Sequence, residues 1–346
     1  MSLTGLDIAY NKPFLGKAAE ILIQSLRDYD HEIQHDKLPA YTKAICVLQS
    51  SGTGKSRMLT EVSPYSIGGH HLTSHYQVGR HTFTLPICLC NPNSPGYPLS
   101  DEEVHYYFGQ ITTNNDMSLT AHSAIARFLT AAHETMLKWL KEAQQKYNFN
   151  AEALHTWWYD IMEWKAGQQQ RCKFFSEVLG IAKDVSHRFL IFQRLHCCSQ
   201  IKIGPERSGN SPKRPEDKNA PDIYDIVDTS QRYYEGARVA VETLMAFLDS
   251  LYPGERPLCM TYFDEAHELQ LLFWILLCLL SHQPTTMKMW YVFMGTKSSI
   301  SYITPPPRRL YVFKYFPHVL LSLMNNSAFP VVQTAKIATT THRIRL

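Results

Sequence analysis

The sequence is poor in several features that would narrow its class at once. Its eight cysteines, Cys46, Cys88, Cys90, Cys172, Cys197, Cys198, Cys259 and Cys278, include no Cys-x-x-Cys and no paired spacing. A zinc ribbon or disulfide framework is therefore not indicated, and several of these residues sit in apolar runs, where free Cys acts as a small hydrophobe. His70, His71, His75 and the run His196-Cys197-Cys198 also lack a second ligand pair and are expected to be surface or core residues. The N-terminus starts polar, without a signal peptide, so a reduced intracellular protein, cytoplasmic or nuclear, is expected. No apolar run reaches the roughly 20 residues that span a bilayer. The longest, Leu269 to Leu280 with Gln270 inside it, reads as one buried helix, and no membrane partner is expected. There is no internal repeat and no guanine-reading Asn-Lys-x-Asp motif. Acidic residues stop at Glu268; residues 269–346 carry Lys288, Lys297, Arg308, Arg309, Lys314, Lys336, Arg343 and Arg345 alone. This spread of charge suits packing against an acidic remainder, packing in a domain of which part is missing, or a nucleic-acid surface.

What is present is enough for a sizeable core. The chain has 346 residues, 45% hydrophobic and 12% aromatic, with a net charge of +3. That length fits one large domain or two.

One stretch organises the rest. Ala44 to Leu48 is an apolar strand, followed by Gln49-Ser50-Ser51-Gly52-Thr53-Gly54-Lys55-Ser56-Arg57 and a helix to about Val62. Strand, glycine-bearing turn, Lys-Ser and helix form the pattern of a phosphate-binding P-loop. Loop amides and a helix N-terminus make a concave anion site, and Gly52 and Gly54 let the backbone approach phosphate oxygens. Ser51, Gly52, Thr53, Gly54, Lys55, Ser56 and Arg57 are the candidate nucleotide-binding residues. Lys55 would reach the β- and γ-phosphates and the Ser56 hydroxyl would bind Mg²⁺. Gln49 stands where the pattern G-x-x-x-x-G-K-[ST] has its first glycine, so an ordinary Gly/Ser turn is the competing reading.

Around this stretch the periodicities predict a helix over 14–33, a strand from His81 to Cys90 despite Pro86, and a Pro-rich loop over 91–99. Ser100-Asp101-Glu102-Glu103 reads as a capping box opening a helix to about Phe108. Helices are expected from Ser118, over 151–165 and 169–198, and from Thr229 to Leu251, with Trp157, Trp158 and Trp164 as packing residues. Residues 63–80 and 204–221 read as loops, the latter with four prolines and two glycines.

A second motif follows at Leu258-Cys259-Met260-Thr261-Tyr262-Phe263, a strand ending on Asp264-Glu265. This is the Walker B arrangement: Asp264 would hold Mg²⁺, and Glu265 would orient the attacking water and accept its proton. The plainer alternative makes Asp264 a helix N-cap. A third strand, Met289 to Met294, ends in Gly295-Thr296-Lys297. Thr296 suits the polar residue that senses the γ-phosphate from a strand lying between those of the first two motifs; a plain turn is the alternative. Arg308 and Arg309 are either an arginine finger or a solvated basic pair.

Taken together, LQSSGTGKSR, FDEAHEL and FMGTKSS resemble a group of fungal P-loop ATPases found in crinkler-type (CRN) effector-like proteins, over about residues 40–310. The resemblance implies an α/β fold with a parallel sheet of the AAA-like kind, flanking helices and a large helical insertion at about 100–250. It implies ATP and Mg²⁺ as ligands. Residues 1–40 would be a helical lead-in, 41–310 the NTPase domain and 311–346 a basic C-terminal segment. The chain shows no ubiquitin-like header, attached effector domain or helical lid, and its last fifteen residues read like a fragment or an altered terminus.

The expectation is an ATP-binding, ATP-hydrolysing regulatory module in which hydrolysis reorients the helical insertion. Asp264-Glu265-Ala266-His267 also spells DEAH, as in nucleic-acid-dependent helicases, although no Ser-Ala-Thr element follows. A degenerate NTPase fold serving as a scaffold for a protein partner or for self-association, and a small-molecule kinase, complete the alternatives.

Overall fold

The computed structural model describes residues 17–34, 42–48, 54–65, 81–93, 98–113, 119–162, 168–184, 223–253, 257–284, 286–295 and 320–321. Within them the chain runs α1 (Ala18–Gln34), β1 (Ala44–Leu48), α2 (Lys55–Tyr65), β2 (Thr82–Cys88), α3 (Glu102–Thr113), α4 (Leu119–Tyr147), α5 (Ala151–Met162), α6 (Gln168–Lys183) and α7 (Ile223–Leu251). It continues through β3 (Leu258–Asp264), a 3₁₀ turn (Ala266–Leu269), α8 (Leu271–Leu280), β4 (Met289–Gly295) and the short β5 (Leu320–Leu321).

The strands form one sheet in the order β2-β3-β4-β1-β5, and every neighbouring pair is parallel. Parallel sheets need cover on both faces, so their strands read as apolar runs without polar alternation. β2, β3 and β4 are buried at every position. The period of two still sorts the side chains between two layers. Ile45, Val47, Met260, Tyr262, Val292 and Met294 face α1 and α2, meeting Leu22, Leu26, Met58 and Leu59. Phe83, Leu85, Ile87, Phe263, Tyr291 and Phe293 face the opposite layer, built by α3 to α8. The protein is thus an α/β fold of three layers.

Helix α1 belongs to this core: its Asp30 forms a buried ion pair with Lys43, at the entry to β1. The described helices between β2 and β3, α3 to α7, supply most of that covering layer, α8 the rest, and within it α4 packs along α6 and α7.

β2 is an edge strand among the described residues, and its outer rim is closed by side chains. The carbonyls of Thr82, Thr84 and Pro86 point away from β3. They accept hydrogen bonds from His155 Nε2 (2.9 Å), Trp158 Nε1 (2.8 Å) and Arg171 Nη2 (2.6 Å). Two residues on, the Cys88 amide donates to Asp101 Oδ2 at 2.7 Å. Pro86 occupies this outward set, where its missing N–H interrupts no ladder bond; that is why the strand accommodates a proline. Arg171 also grips Asp101 with both prongs of its guanidinium (2.8 and 2.6 Å) and donates to Met162 O.

Several elements differ from the sequence reading. Ser100 and Asp101 form no capping box: Ser100 Oγ donates to Cys90 O at 2.6 Å and Asp101 is engaged by Arg171, so the carboxylate serves the tertiary clamp. Helix α3 runs to Thr113, past Phe108. The apolar run 269–280 is not one helix: Gln270, with φ 48° and ψ −121°, breaks it into the 3₁₀ turn and α8. Most of the two expected loops and the stretch beyond Asp184 in the expected helix 169–198 lie outside the described residues, as do Trp164, His70, His71, His75, Cys197 and Cys198.

Removing one prong of the rim should be costly. Trp158→Phe leaves the buried Thr84 carbonyl without a donor and should cost about 1–3 kcal/mol. Arg171→Met strands the buried Asp101 carboxylate and should cost about 3–5 kcal/mol. Urea unfolding reads both, and an unchanged midpoint for Arg171→Met would refute the clamp.

Candidate functional site

Parallel strands bring all their carboxyl ends to one edge, where crevices in open α/β sheets bind ligands. At this edge Leu48 ends β1, Gly295 ends β4, and Asp264 ends β3 opposite Cys88 of β2. β4 separates β1 from β3. Gly54, at φ +82°, turns the chain into α2; the backbone angle is what asks for glycine, since among the described residues a Cβ there would meet no atom within 4 Å. The Gly54 carbonyl accepts the Met58 amide, so α2 starts at once and presents Lys55 and Ser56 in its first turn.

Ser56 and Asp264, 208 residues apart, meet directly: Ser56 Oγ donates to Asp264 Oδ2 at 2.5 Å. The other carboxylate oxygen accepts the Glu265 amide at 2.9 Å. Asp264 is therefore not a helix cap. Glu265 follows in the left-handed region, at φ 53° and ψ 44°, and has no capping bond of its own. A non-glycine residue there is uncommon and costs roughly 1–2 kcal/mol, and this kink lets two consecutive carboxylates leave one strand end in different directions.

The electrostatics set the two carboxylates apart. Asp264 is buried, and desolvation pushes its carboxyl up to about 6, opposed by the Ser56 hydroxyl and raised further by Glu265. Glu265 is held below its ordinary value, first by the His267 imidazole beside it and also by Lys55. His267 Nδ1 lies 3.1 Å from Glu265 Oε2, an ion-pair separation whose angle falls short of a hydrogen bond. Its Nε2 lies 3.4 Å from Glu268 Oε1. These carboxylates, Glu265 foremost, raise the His267 pKa.

Of the residues singled out in the sequence, Gly54, Lys55, Ser56, Asp264 and Glu265 are gathered at this edge. Arg57 is on α2, where it pairs with Glu61 at 3.2 Å one turn on. Ser51, Gly52, Thr53, Thr296, Arg308 and Arg309 lie outside the described residues. Two features went unread in the sequence: the His267–Glu265 pair, for which spacing across a tight turn gives no signal, and the contact of Cys88 Sγ with Cys90 Sγ at 3.4 Å. Alternation along a strand puts residues i and i+2 on one face, and that was the available clue to the second.

A hydroxyl and a carboxylate side by side are hard oxygen donors of the kind Mg²⁺ takes when phosphates and waters complete its shell. The desolvated Asp264 carboxylate, whose charged form a nearby cation would favour, fits the same role. Among the described residues no group of three or more His, Cys, Asp or Glu is arranged to hold a metal, so an ion here would depend on ligands brought by its partner molecule. A hollow lined by His81, Asn150, Glu152 and Tyr252 lies at the opposite, amino edge of the sheet, away from all these groups. No helix among the described residues is long and apolar enough to cross a membrane. No protein-family model matches the sequence, and comparisons with curated proteins and with solved structures return no match.

The raised Asp264 value makes a signed prediction. In the fold the carboxyl keeps its proton to about pH 6, in the unfolded chain only to about pH 4. The native state binds more protons across that window, so this group's contribution falls as pH rises through it. Asp264→Asn should stabilise the metal-free protein at pH 7.5, by on the order of 3 kcal/mol at most, and the gain should vanish near pH 4. Melting curves at both pH values test this; a difference independent of pH would sink it.

Proposed function

We propose that the chain is a Mg²⁺-dependent P-loop NTPase module that binds and hydrolyses ATP, of the crinkler-like kind its motifs resemble. The observation that carries this reading is the contact between Ser56, in the first turn after the glycine loop, and Asp264, at the end of the strand two places away. The strand order supports it, because β4 between β1 and β3 is the arrangement that a P-loop ATPase with a catalytic glutamate requires.

In this reading the amides of residues 51–54 and the N-terminus of α2 cradle the phosphates. Lys55 neutralises charge on the β- and γ-phosphates. Ser56 and Asp264 would hold the Mg²⁺, which supplies Lewis-acid stabilisation of the phosphoryl oxygens. Bringing that charge beside Asp264 favours its ionised form, so loading near pH 6 should release a proton. Glu265 orients water for in-line attack and takes its proton. His267, against Glu265, keeps that carboxylate ionised and aimed. Thr296, one residue past β4, would report the γ-phosphate.

Nucleotide titration and turnover assays on the whole chain test the reading. Lys55→Ala should abolish tight ATP binding. Glu265→Gln should bind ATP like wild type while turnover falls roughly 10²–10⁴-fold. Equal binding by wild type and Lys55→Ala would overturn the proposal, and turnover that appears only with DNA or RNA would move it to the DEAH-type helicase class. His267→Ala should raise the pKa of Glu265, so the acid limb of the turnover profile should shift to higher pH; an unmoved limb would remove His267 from the mechanism.

A further inference from the structure

β2 ends beside Asp264 on a pair of thiols. Cys88 is fully buried and Cys90 is half-buried, in the bend that follows the strand. Their sulfurs are 3.4 Å apart, and each also lies near the Pro98 carbonyl, at 3.8 and 3.7 Å. In a fully extended strand, residues i and i+2 stand roughly 6.6 Å apart at Cα, near the upper limit for a disulfide. The bend at Cys90 turns its side chain back on Cys88, and the sulfurs need to close by only about 1.4 Å to reach bonding distance.

We propose that Cys88 and Cys90 form a redox-active dithiol, a modification site that a hydroperoxide converts to an intramolecular disulfide. Cys90, the more accessible thiol, is the attacking group. Contact with the Cys88 thiol, aided by Ser100, holds its pKa below the ordinary value despite partial burial. Its sulfur takes the distal peroxide oxygen and becomes a sulfenic acid as water or alcohol leaves. Cys88 sulfur then attacks the Cys90 sulfur and expels a second water. With hydrogen peroxide, two thiols and one peroxide give one disulfide and two waters, and a dithiol reductant reverses it.

The location gives the oxidation a consequence. The ring would enclose Leu89, whose amide donates to Asp264 O at 3.0 Å, and would pull on Cys88, whose amide is held by Asp101. Closing it therefore disturbs the main-chain support of Asp264. On the reading of Asp264 as a Mg²⁺ ligand, oxidation should weaken Mg-nucleotide affinity by roughly tenfold, the scale of losing an outer support of a metal ligand.

The test suits the chain well, because residues 81–127 form one tryptic peptide that holds Cys88, Cys90 and no other cysteine. The reduced full chain is treated with hydrogen peroxide, denatured, alkylated, digested and weighed. The expected peptide is two hydrogens lighter and carries no alkyl label, and dithiothreitol pretreatment restores both labels. Cys88→Ser should instead leave Cys90 as a sulfenic acid that a dimedone probe traps. A peptide in which Cys90 is over-oxidised while Cys88 still takes the label would overturn the proposal. So would a peptide that stays fully labelled while the exposed Cys172 reacts. The mass readout involves no nucleotide, so failure to bind ATP in either redox form would count against the function proposed above and not against the dithiol.

Discussion

The hydrogen-bonded rim of β2 is the constraint on which the rest of the architecture depends. An edge strand presents a row of backbone groups that must find partners, and burial makes an unpaired one costly. Here the partners are an imidazole, an indole and a guanidinium from α5 and α6, spaced to meet carbonyls two residues apart. This fixes the helical layer against the sheet in one register. Burial pushes His155 down to about 4, so it stays neutral and its ring can serve as donor through the physiological range. The Arg171–Asp101 pair ends the row, and its second duty, holding the Cys88 amide, ties the rim to the carboxyl edge where Asp264 stands.

At that edge an acid is desolvated without full compensation. Asp264 accepts one hydroxyl and one amide, yet burial still raises its pKa. Protein stability alone would favour a neutral side chain there. Glu265, one residue on, is in the opposite condition, kept charged by His267 and Lys55 in a strained backbone conformation. Adjacent carboxylates pushed in opposite directions at the end of a buried strand cost stability, and perturbed pairs of this kind cluster at functional sites in proteins generally.

How much of this was legible in the sequence follows from which forces act locally. The four longer strands, the helix after Gly54 and the Asp264-Glu265 strand end were readable, because buried parallel strands and glycine turns leave a mark within a few residues. The pairing of Ser56 with Asp264 was an expectation from motif order, since 208 residues of separation carry no local signal. Ser100-Asp101-Glu102-Glu103 misled for a physical reason: a capping box and a buried ion pair use the same acidic residue, and only the position of Arg171 on a distant helix decides between them. The break at Gln270 was hidden by the leucines on both sides, which suit a helix of any length. The Cys88–Cys90 contact lay within a spacing of two, but a strand pattern alone does not say where the strand stops and bends.

The covering layer bears on how such a site would act on the rest of the molecule. Helices α3 to α7 do not stand off the sheet as a free insertion: their buried side chains form one continuous cluster with Phe83, Ile87, Phe263 and Phe293 of the strands. Swinging them would expose that cluster to water at about 25 cal/mol per Å², and would also pull three donors off the β2 rim. Even a few hundred Å² of opening would consume most of the several kcal/mol that hold a domain together. A change at the carboxyl edge therefore reaches the helical layer most cheaply through the bonded path from Asp264 to Leu89, Cys88, Asp101 and Arg171, whose links are a hydrogen bond, a peptide, a second hydrogen bond and the two-pronged ion pair. The thiol pair sits on that path.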